Sequence, residues 1–151
     1  MKPLNLPTYS LNIKSENNRQ FIFDPCRSKW VALTPEEWVR QNFVMYLIEE
    51  LAYPRGLIST EMAININRMA RRCDIVVHNR KGSPAMIVEC KAPEMPLEQA
   101  AFDQVNSYNW ALGVPYLIIT NGLRHYCLES RGGAFQYMRS FPPYDLLDSQ
   151  S

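Results

Sequence analysis

Two apolar segments separated by a short polar turn constrain the fold of this chain more than any other feature of its sequence. The β-branched centre Ile75-Val76-Val77 predicts a strand over 73–78, and Met86-Ile87-Val88 predicts another over 85–90. The segment between them, Asn79-Arg80-Lys81-Gly82-Ser83, has the composition of a turn. Because a connection this short joins antiparallel neighbours, we expect a central β-hairpin.

Helices and further strands flank this hairpin. Thr34 and Pro35 begin a helix that continues to about residue 52, and Glu37 completes a capping box at its start. The run Tyr116-Leu117-Ile118-Ile119 indicates a strand covered on both faces, which requires helices on both sides of a sheet. The remaining predicted elements are strands over 57–66, 124–129 and 135–138 and a helix over 97–112. The order predicts an α/β fold with a mixed β-sheet.

The length of 151 residues fits one domain with short arms. Residues 1–30 are predicted to form an irregular N-terminal arm, with at most a short strand over 20–23. Residues 31–140 form the predicted domain. Residues 141–151, which begin with a Pro-Pro break, are expected to be a loose tail.

Composition excludes several classes of protein. The net charge of +1 excludes a polycation but is compatible with a local basic face. No apolar run approaches the roughly 20 residues that span a bilayer, and no signal peptide is recognisable, so we expect a cytoplasmic protein without a membrane partner. In the cytosol the four cysteines, Cys26, Cys73, Cys90 and Cys127, are expected to be reduced thiols. No two of them have CxxC spacing, so we expect no zinc site.

Asp74, Glu89 and Lys91 are the residues whose positions indicate chemistry. Asp74 lies in the first strand of the hairpin, and Glu89 and Lys91 end the second strand on one face. Two carboxylates and a backbone carbonyl offer the hard oxygen ligands of Mg²⁺ or Mn²⁺, and a lysine beside them can activate water for phosphodiester hydrolysis. The alternative is a solvated strand end with a weak ion pair.

Gln104 and Tyr108 of the second predicted helix are four residues apart and share a helical face. An amide and a phenolic hydroxyl can hydrogen-bond a phosphate, a lysine or a metal-bound water. An ordinary polar stripe on a helix explains the same pair.

Five segments of the sequence follow one another in an order typical of a known enzyme family. They are residues 34–41 (TPEEWVRQ), 72–77 (RCDIVV), 88–93 (VECKAP), 104–108 (QxxxY) and 120–122 (TNG). In this order they resemble the PD-(D/E)xK nucleases, and most closely the N-terminal nuclease domain of type I restriction enzyme R subunits. The resemblance implies a restriction-endonuclease-like mixed β-sheet flanked by helices, with an αβββαβ core.

The resemblance also implies roles for individual residues. Asp74 and Glu89 match the metal-binding carboxylates, with the Cys90 carbonyl as a further ligand. Lys91 matches the catalytic lysine, and Gln104 and Tyr108 match the QxxxY element.

A glutamate of the first helix often completes such sites. Glu37 is our first choice for this metal ligand and Glu36 the second, although helix capping explains Glu37 equally well. Glu61 is a further candidate, for which a structural role is favoured. The sequence departs from the literal motif at Cys73, which stands where the family has proline.

Basic residues could supply contacts to nucleic acid. Five of them cluster in sequence around the second strand and its turn: Arg68, Arg71, Arg72, Arg80 and Lys81. They would contact phosphates in a salt-dependent manner. A solvated rim of the hairpin is the alternative explanation.

Taken together, the sequence predicts a Mg²⁺-dependent DNA endonuclease. The sequence contains no GxxxxGK[ST] loop of a translocating motor, so we expect a free-standing nuclease or a module that works with restriction-type or motor subunits. A homodimer is another candidate assembly. A non-catalytic nucleic-acid-binding or assembly module on the same fold is the main alternative, and a purely structural domain is the third.

Overall fold

The computed structural model of the chain describes residues 1–97 and 106–149. Its strands are β1 (Ile13–Glu16), β2 (Arg19–Asp24), β3 (Lys29–Ala32), β4 (Ile58–Ile66), β5 (Met69–His78), β6 (Pro84–Cys90), β7 (Tyr116–Thr120), β8 (His125–Arg131) and β9 (Ala134–Met138). Its helices are α1 (Pro35–Glu49), α2 (Tyr144–Ser149) and two 3-10 helices, Arg55–Leu57 and Asn106–Gly113.

Strands β4 to β9 form a six-stranded mixed sheet in sequence order. Neighbouring strands are antiparallel except β6 and β7, which are parallel with Cys90 opposite Thr120. The predicted hairpin of β5 and β6 is present, with Ile75 opposite Val88. The prediction of a mixed α/β sheet is therefore confirmed.

Both faces of this sheet are covered, as the apolar sequence of β7 predicts. Every residue of β7 is buried. The capped helix α1 packs Phe43 and Leu47 against one face, and Leu97, Tyr108 and Trp110 belong to the core on the other. The start of α1 is as predicted, because Thr34 Oγ1 accepts the Glu37 N–H at 3.0 Å.

The N-terminal residues are not an irregular arm. Strands β1, β2 and β3 form a separate three-stranded antiparallel sheet, and Ile22 and Asp24 of β2 are fully buried. Asn17 and Asn18 connect β1 to β2 with positive φ angles of 53° and 62°, the conformation of a two-residue hairpin turn. The short strand predicted over 20–23 is the centre of this sheet.

Two further expectations are corrected. The C-terminal tail is not loose throughout, because α2 buries Tyr144 and Leu147 against the core. Of the helix predicted over 97–112, Leu97 is helical, 98–105 lie outside the described residues, and Asn106–Gly113 is a 3-10 helix with a non-helical Tyr108 (φ −94°, ψ 15°). The four cysteines are free thiols. Within residues 1–97 and 106–149, no helix combines the length and apolar character needed to cross a membrane.

Candidate functional site

At Asp74, the backbone pairing of β5 with β6 gives way to a contact made by a side chain. The last paired residues are Ile75 and Val88. Beyond this pair, the hydrogen bond to β6 comes from a side chain and not from the backbone: Asp74 Oδ2 accepts the Cys90 N–H at 2.7 Å. This hydrogen bond fixes Asp74 against the end of β6, next to Glu89 and Lys91.

Glu89 and Lys91 form an ion pair at the end of β6. Lys91 Nζ lies 3.5 Å from Glu89 Oε1, and the two side chains are 19% and 24% exposed respectively. The Lys91 N–H donates to the Thr120 carbonyl of β7 at 2.8 Å, which anchors the backbone that carries the lysine. The backbone that carries the pair is therefore fixed, and both side chains remain partly exposed to solvent.

Arg40 of α1 lies among three carboxylates. Its Nη2 is 3.0 Å from Asp74 Oδ1 and 2.8 Å from Glu61 Oε1, and its Nη1 is 3.2 Å from Glu37 Oε1. The sequence analysis did not select Arg40 as a site residue. A signal was available, because Arg40 precedes Phe43 and Leu47 by three and seven residues and so lies on the apolar face of the helix.

Burial disfavours the ionised form of both Asp74 and Glu89. Burial and the nearby Asp74 raise the pKa of Glu89 to about 7, against the opposing effect of Lys91. Burial likewise raises the pKa of Asp74, although the Cys90 N–H and Arg40 act in the other direction. Burial, then Glu89 and Asp74, raise the pKa of the Tyr108 hydroxyl, which places this buried tyrosine near the carboxylates.

The remaining predicted site residues are placed as follows. Gln104 lies outside the described residues. Cys90 has a fully buried thiol, whose pKa is raised well above its usual range chiefly by burial. The predicted role of its carbonyl stays a prediction.

Glu37 does more than cap the helix. Its carboxylate contacts Arg27, Arg40 and Gln41, so Arg40 stands between it and Asp74. Glu36 is exposed and contributes to the raised pKa of Glu89. Glu61, on β4, has a φ of +51°, which is strained for a residue with a side chain.

Asp74 and Glu89 fit a hard divalent cation by their chemistry. A bound cation would favour the ionised carboxylates against the burial that chiefly raises both pKa values. Within the described ranges, no three His, Cys, Asp or Glu side chains form a ready-made metal cluster. Mg²⁺ does not require one, since it commonly binds through one or two carboxylates plus waters and substrate phosphates.

The model of the family described as type I restriction enzyme R protein N terminus matches residues 35–142. The chain belongs to this family. The matched segment of the R protein N terminus includes α1, the main sheet and every candidate site residue, which confirms the resemblance seen in the sequence.

A solved structure shows the same fold. A fragment of a protein assigned as an HsdR subunit of a type I restriction enzyme from Vibrio vulnificus YJ016 aligns with a TM-score of 0.54 and 21% identity. The alignment covers 76% of this chain and 24% of the HsdR fragment, so this chain spans about a quarter of that protein.

A second structure, from Anabaena variabilis ATCC 29413, is assigned as a nuclease of DUF820. It aligns with a TM-score of 0.45 and 9% identity over 84% of this chain and 80% of the other. No curated protein matches the sequence.

The predicted basic cluster divides into two groups in this R protein N-terminal domain. Arg68, Arg71 and Arg72 lie on the β4–β5 hairpin, where Arg72 Nη1 donates to the Glu61 carbonyl at 2.7 Å. Arg80 and Lys81 lie beyond the other end of β5, about 20 Å from Asp74 along the strand. Arg80 pairs with Asp148 at 2.8 Å. Of the first group, Arg72 lies nearest a carboxylate, with its Nη1 3.9 Å from Glu61 Oε2.

Proposed function

We propose that this domain is a metal-dependent DNA endonuclease that hydrolyses phosphodiester bonds. The observation that carries the proposal is the meeting of two largely buried carboxylates at the end of β6, where Asp74 accepts the Cys90 N–H and Lys91 Nζ lies 3.5 Å from Glu89. Family membership supports the same chemistry, because the matched segment, residues 35–142, contains all three residues.

Each residue has a distinct task in this proposal. Asp74 and Glu89, with the Cys90 carbonyl, would hold Mg²⁺ or Mn²⁺. The bound ion would supply Lewis acidity toward a phosphate oxygen and lower the pKa of a water. Lys91 would orient or deprotonate that water, or offset negative charge that develops on the phosphate. Gln104 and Tyr108 would hydrogen-bond the lysine or the phosphate.

The proposed partners follow from the same relationship. DNA is the proposed substrate, and the exposed Arg68, Arg71 and Arg72 of the β4–β5 hairpin would contact its phosphates. Arg80 and Lys81, at the far end of β5, would contribute to binding only if the DNA extended along the sheet. Other restriction subunits are proposed as partners and a cytoplasmic location is proposed for the protein, while a homodimer is the alternative assembly.

A non-catalytic nucleic-acid-binding or assembly module is the second candidate. One observation favours it: Arg40 already supplies a cation to Asp74, Glu61 and Glu37, which stabilises these carboxylates without any metal. On this view the acidic residues hold the fold together and the basic hairpin binds nucleic acid or a partner.

A cleavage assay separates the two candidates. The protein is incubated with linear, circular and single-stranded DNA in the presence of Mg²⁺ or Mn²⁺, beside Asp74→Asn as the matched inactive control. We expect cleavage of at least one substrate by the wild type, none by Asp74→Asn, and none with EDTA. Binding of all three substrates without cleavage, even after restriction subunits are added, would support the non-catalytic module.

A further inference from the structure

A chain of alternating charges connects the N-terminal sheet to the candidate active site. It begins at Asp24 of β2, which is fully buried. Asp24 Oδ2 accepts a hydrogen bond from Thr60 Oγ1 at 2.6 Å and pairs with Arg27 Nε at 2.6 Å. Asp24 Oδ1 accepts the Cys26 N–H at 2.7 Å. Arg27 is therefore anchored at one end of its guanidinium.

The other end of Arg27 continues the chain toward Asp74. Arg27 Nη2 lies 3.3 Å from Glu37 Oε1 and 3.4 Å from Oε2. Glu37 Oε1 also accepts from Arg40 Nη1 at 3.2 Å, and Oε2 accepts from Gln41 Nε2 at 2.8 Å. Arg40 Nη2 then contacts Asp74 and Glu61.

The contacts of Arg40 explain why its orientation depends on Glu37. Arg40 Nε is buried and has no hydrogen-bond partner among the described residues. The guanidinium is therefore oriented through its two terminal nitrogens, one toward Glu37 and one toward Asp74 and Glu61. Because the side chains from Asp24 to Asp74 are at most 20% exposed, their interactions are weakly screened by solvent.

We propose that Arg27 is a positioning residue of the active site, which acts through Glu37 and Arg40 to fix the Asp74 carboxylate for metal binding. Its catalytic consequence rests on the proposed nuclease function. Arg27 precedes residues 35–142, the segment that the family model matches. On this proposal, the turn between β2 and β3, which carries Arg27, contributes to the site from outside the matched segment.

A double-mutant cycle on unfolding tests the physical coupling without metal or DNA. Arg27→Gln and Asp74→Asn are made singly and together, and urea unfolding is measured for each. We expect the effects to be non-additive, because each change disturbs the same chain of contacts, whereas the effects of changes at independent sites usually add.

Arg19→Gln with Asp74→Asn is the control for this cycle. Arg19 is exposed on the same sheet and lies over Phe21, 5.8 Å from its ring centroid, so this pair should be additive. Additive effects of Arg27→Gln and Asp74→Asn would overturn the proposal.

Metal affinity and kinetics test the functional consequence. We expect Arg27→Gln to weaken Mn²⁺ binding by about 10-fold in a calorimetric titration, the scale of losing an outer contact to a metal ligand. The kcat for DNA cleavage should fall by a similar factor while KM for DNA stays near the wild-type value. A rise in KM alone, with Mn²⁺ affinity and kcat unchanged, would identify Arg27 as a DNA contact and overturn its positioning role.

Variants of Arg40 keep the test decisive if Arg27→Gln prevents folding. Arg40→Lys keeps the charge, and partial recovery of Mn²⁺ affinity relative to Arg40→Gln supports the chain of contacts. If the wild type neither binds Mn²⁺ nor cuts DNA, the nuclease proposal fails, and the unfolding cycle alone decides whether Arg27 is coupled to Asp74. If the wild type cuts DNA and Arg27→Gln cuts equally fast, the nuclease stands and the role of Arg27 is wrong.

Discussion

Asp24 in the N-terminal sheet and Glu89 at the end of β6 are both largely buried acidic residues, yet their surroundings act on them in opposite directions. Burial opposes ionisation of Asp24, but hydrogen bonds from Thr60 and Arg27 outweigh it and lower its pKa. Burial of Glu89 is reinforced by the nearby Asp74, and Lys91 compensates only in part, so its pKa rises to about 7.

The difference separates a structural charge from one available for a ligand. Asp24 has donors on both oxygens and nothing further to gain from a cation. Glu89 and Asp74 repel each other, so a bound cation would stabilise the folded protein. This contrast is a physical reason for placing the metal at Asp74 and Glu89 and not at Asp24, although Asp24 is also a buried carboxylate.

The largest expected effect is on folding stability. Asp24→Asn should lower the free energy of unfolding by about 3–5 kcal/mol, because it leaves the Arg27 guanidinium without its buried partner. Glu89→Gln, measured beside it at pH 8 by urea unfolding, should leave stability unchanged or slightly raised, since it removes a repelled charge. Equal losses in the two variants would break the contrast between the sites.

Lys91→Ala should act on cleavage and hardly on folding. We expect the Mg²⁺-dependent rate to fall by roughly 10²-fold or more, the scale of losing a positioned acid–base group, while the urea midpoint stays close to that of the wild type. Lys14→Ala, which removes an exposed lysine of the N-terminal sheet, is the control and should cut at the wild-type rate. If Lys91→Ala cuts as fast as the wild type, its assigned role is wrong.

The sequence predicted those parts of the molecule that depend on local patterns. The β5–β6 hairpin follows from its apolar strands and turn, and the start of α1 follows from Thr34 and Pro35. The approach of Asp74 to the end of β6 follows from antiparallel pairing once the hairpin is known. The predicted catalytic and metal-binding roles at these positions remain to be measured.

The missed features depend on contacts between distant segments. Asn17-Asn18 is a turn signal between two short strands, but those strands lack the long apolar runs that make β5 and β7 recognisable. The chain from Arg27 to Arg40 requires the N-terminal sheet to meet α1, and no spacing in the sequence specifies that meeting. The same reason explains why Arg40 was missed as a neighbour of Asp74.

Metal binding should give a smaller but more specific signal. At an Mn²⁺ concentration tenfold above its Kd, preferential binding to the folded state contributes about 1.4 kcal/mol, which corresponds to a rise in Tm of about 4 °C. Asp74→Asn should abolish this rise, whereas Asp148→Asn, which changes an acidic residue paired with Arg80 at the far end of β5, should retain it. An equal rise in all three proteins would exclude the proposed site.

The smallest expected effect is a pH dependence that has opposite signs at the two acidic residues. Glu89 binds its proton more tightly in the folded state, where its pKa is about 7, than its usual value of 4.5 implies for the unfolded chain. Between these two pKa values the folded state binds more protons than the unfolded state does. The contribution of Glu89 to the free energy of unfolding therefore falls as pH rises from about 4.5 to 7 and is constant above pH 7.

Asp24 behaves in the opposite way, because its pKa is lowered: its contribution is present above its usual pKa of 3.8 and is lost as pH falls through the folded value. The measurement is the free energy of unfolding of metal-free wild type minus that of Glu89→Gln across pH 4.5 to 8. We expect this difference to decline toward neutral pH, by less than the metal effect because Glu89 is partly exposed and its repulsion is screened. Saturating Mn²⁺ should abolish the decline, since the bound cation favours the ionised carboxylate. A difference that stays constant with pH would show that Glu89 is as well neutralised as Asp24, and the metal would then have no electrostatic reason to bind there.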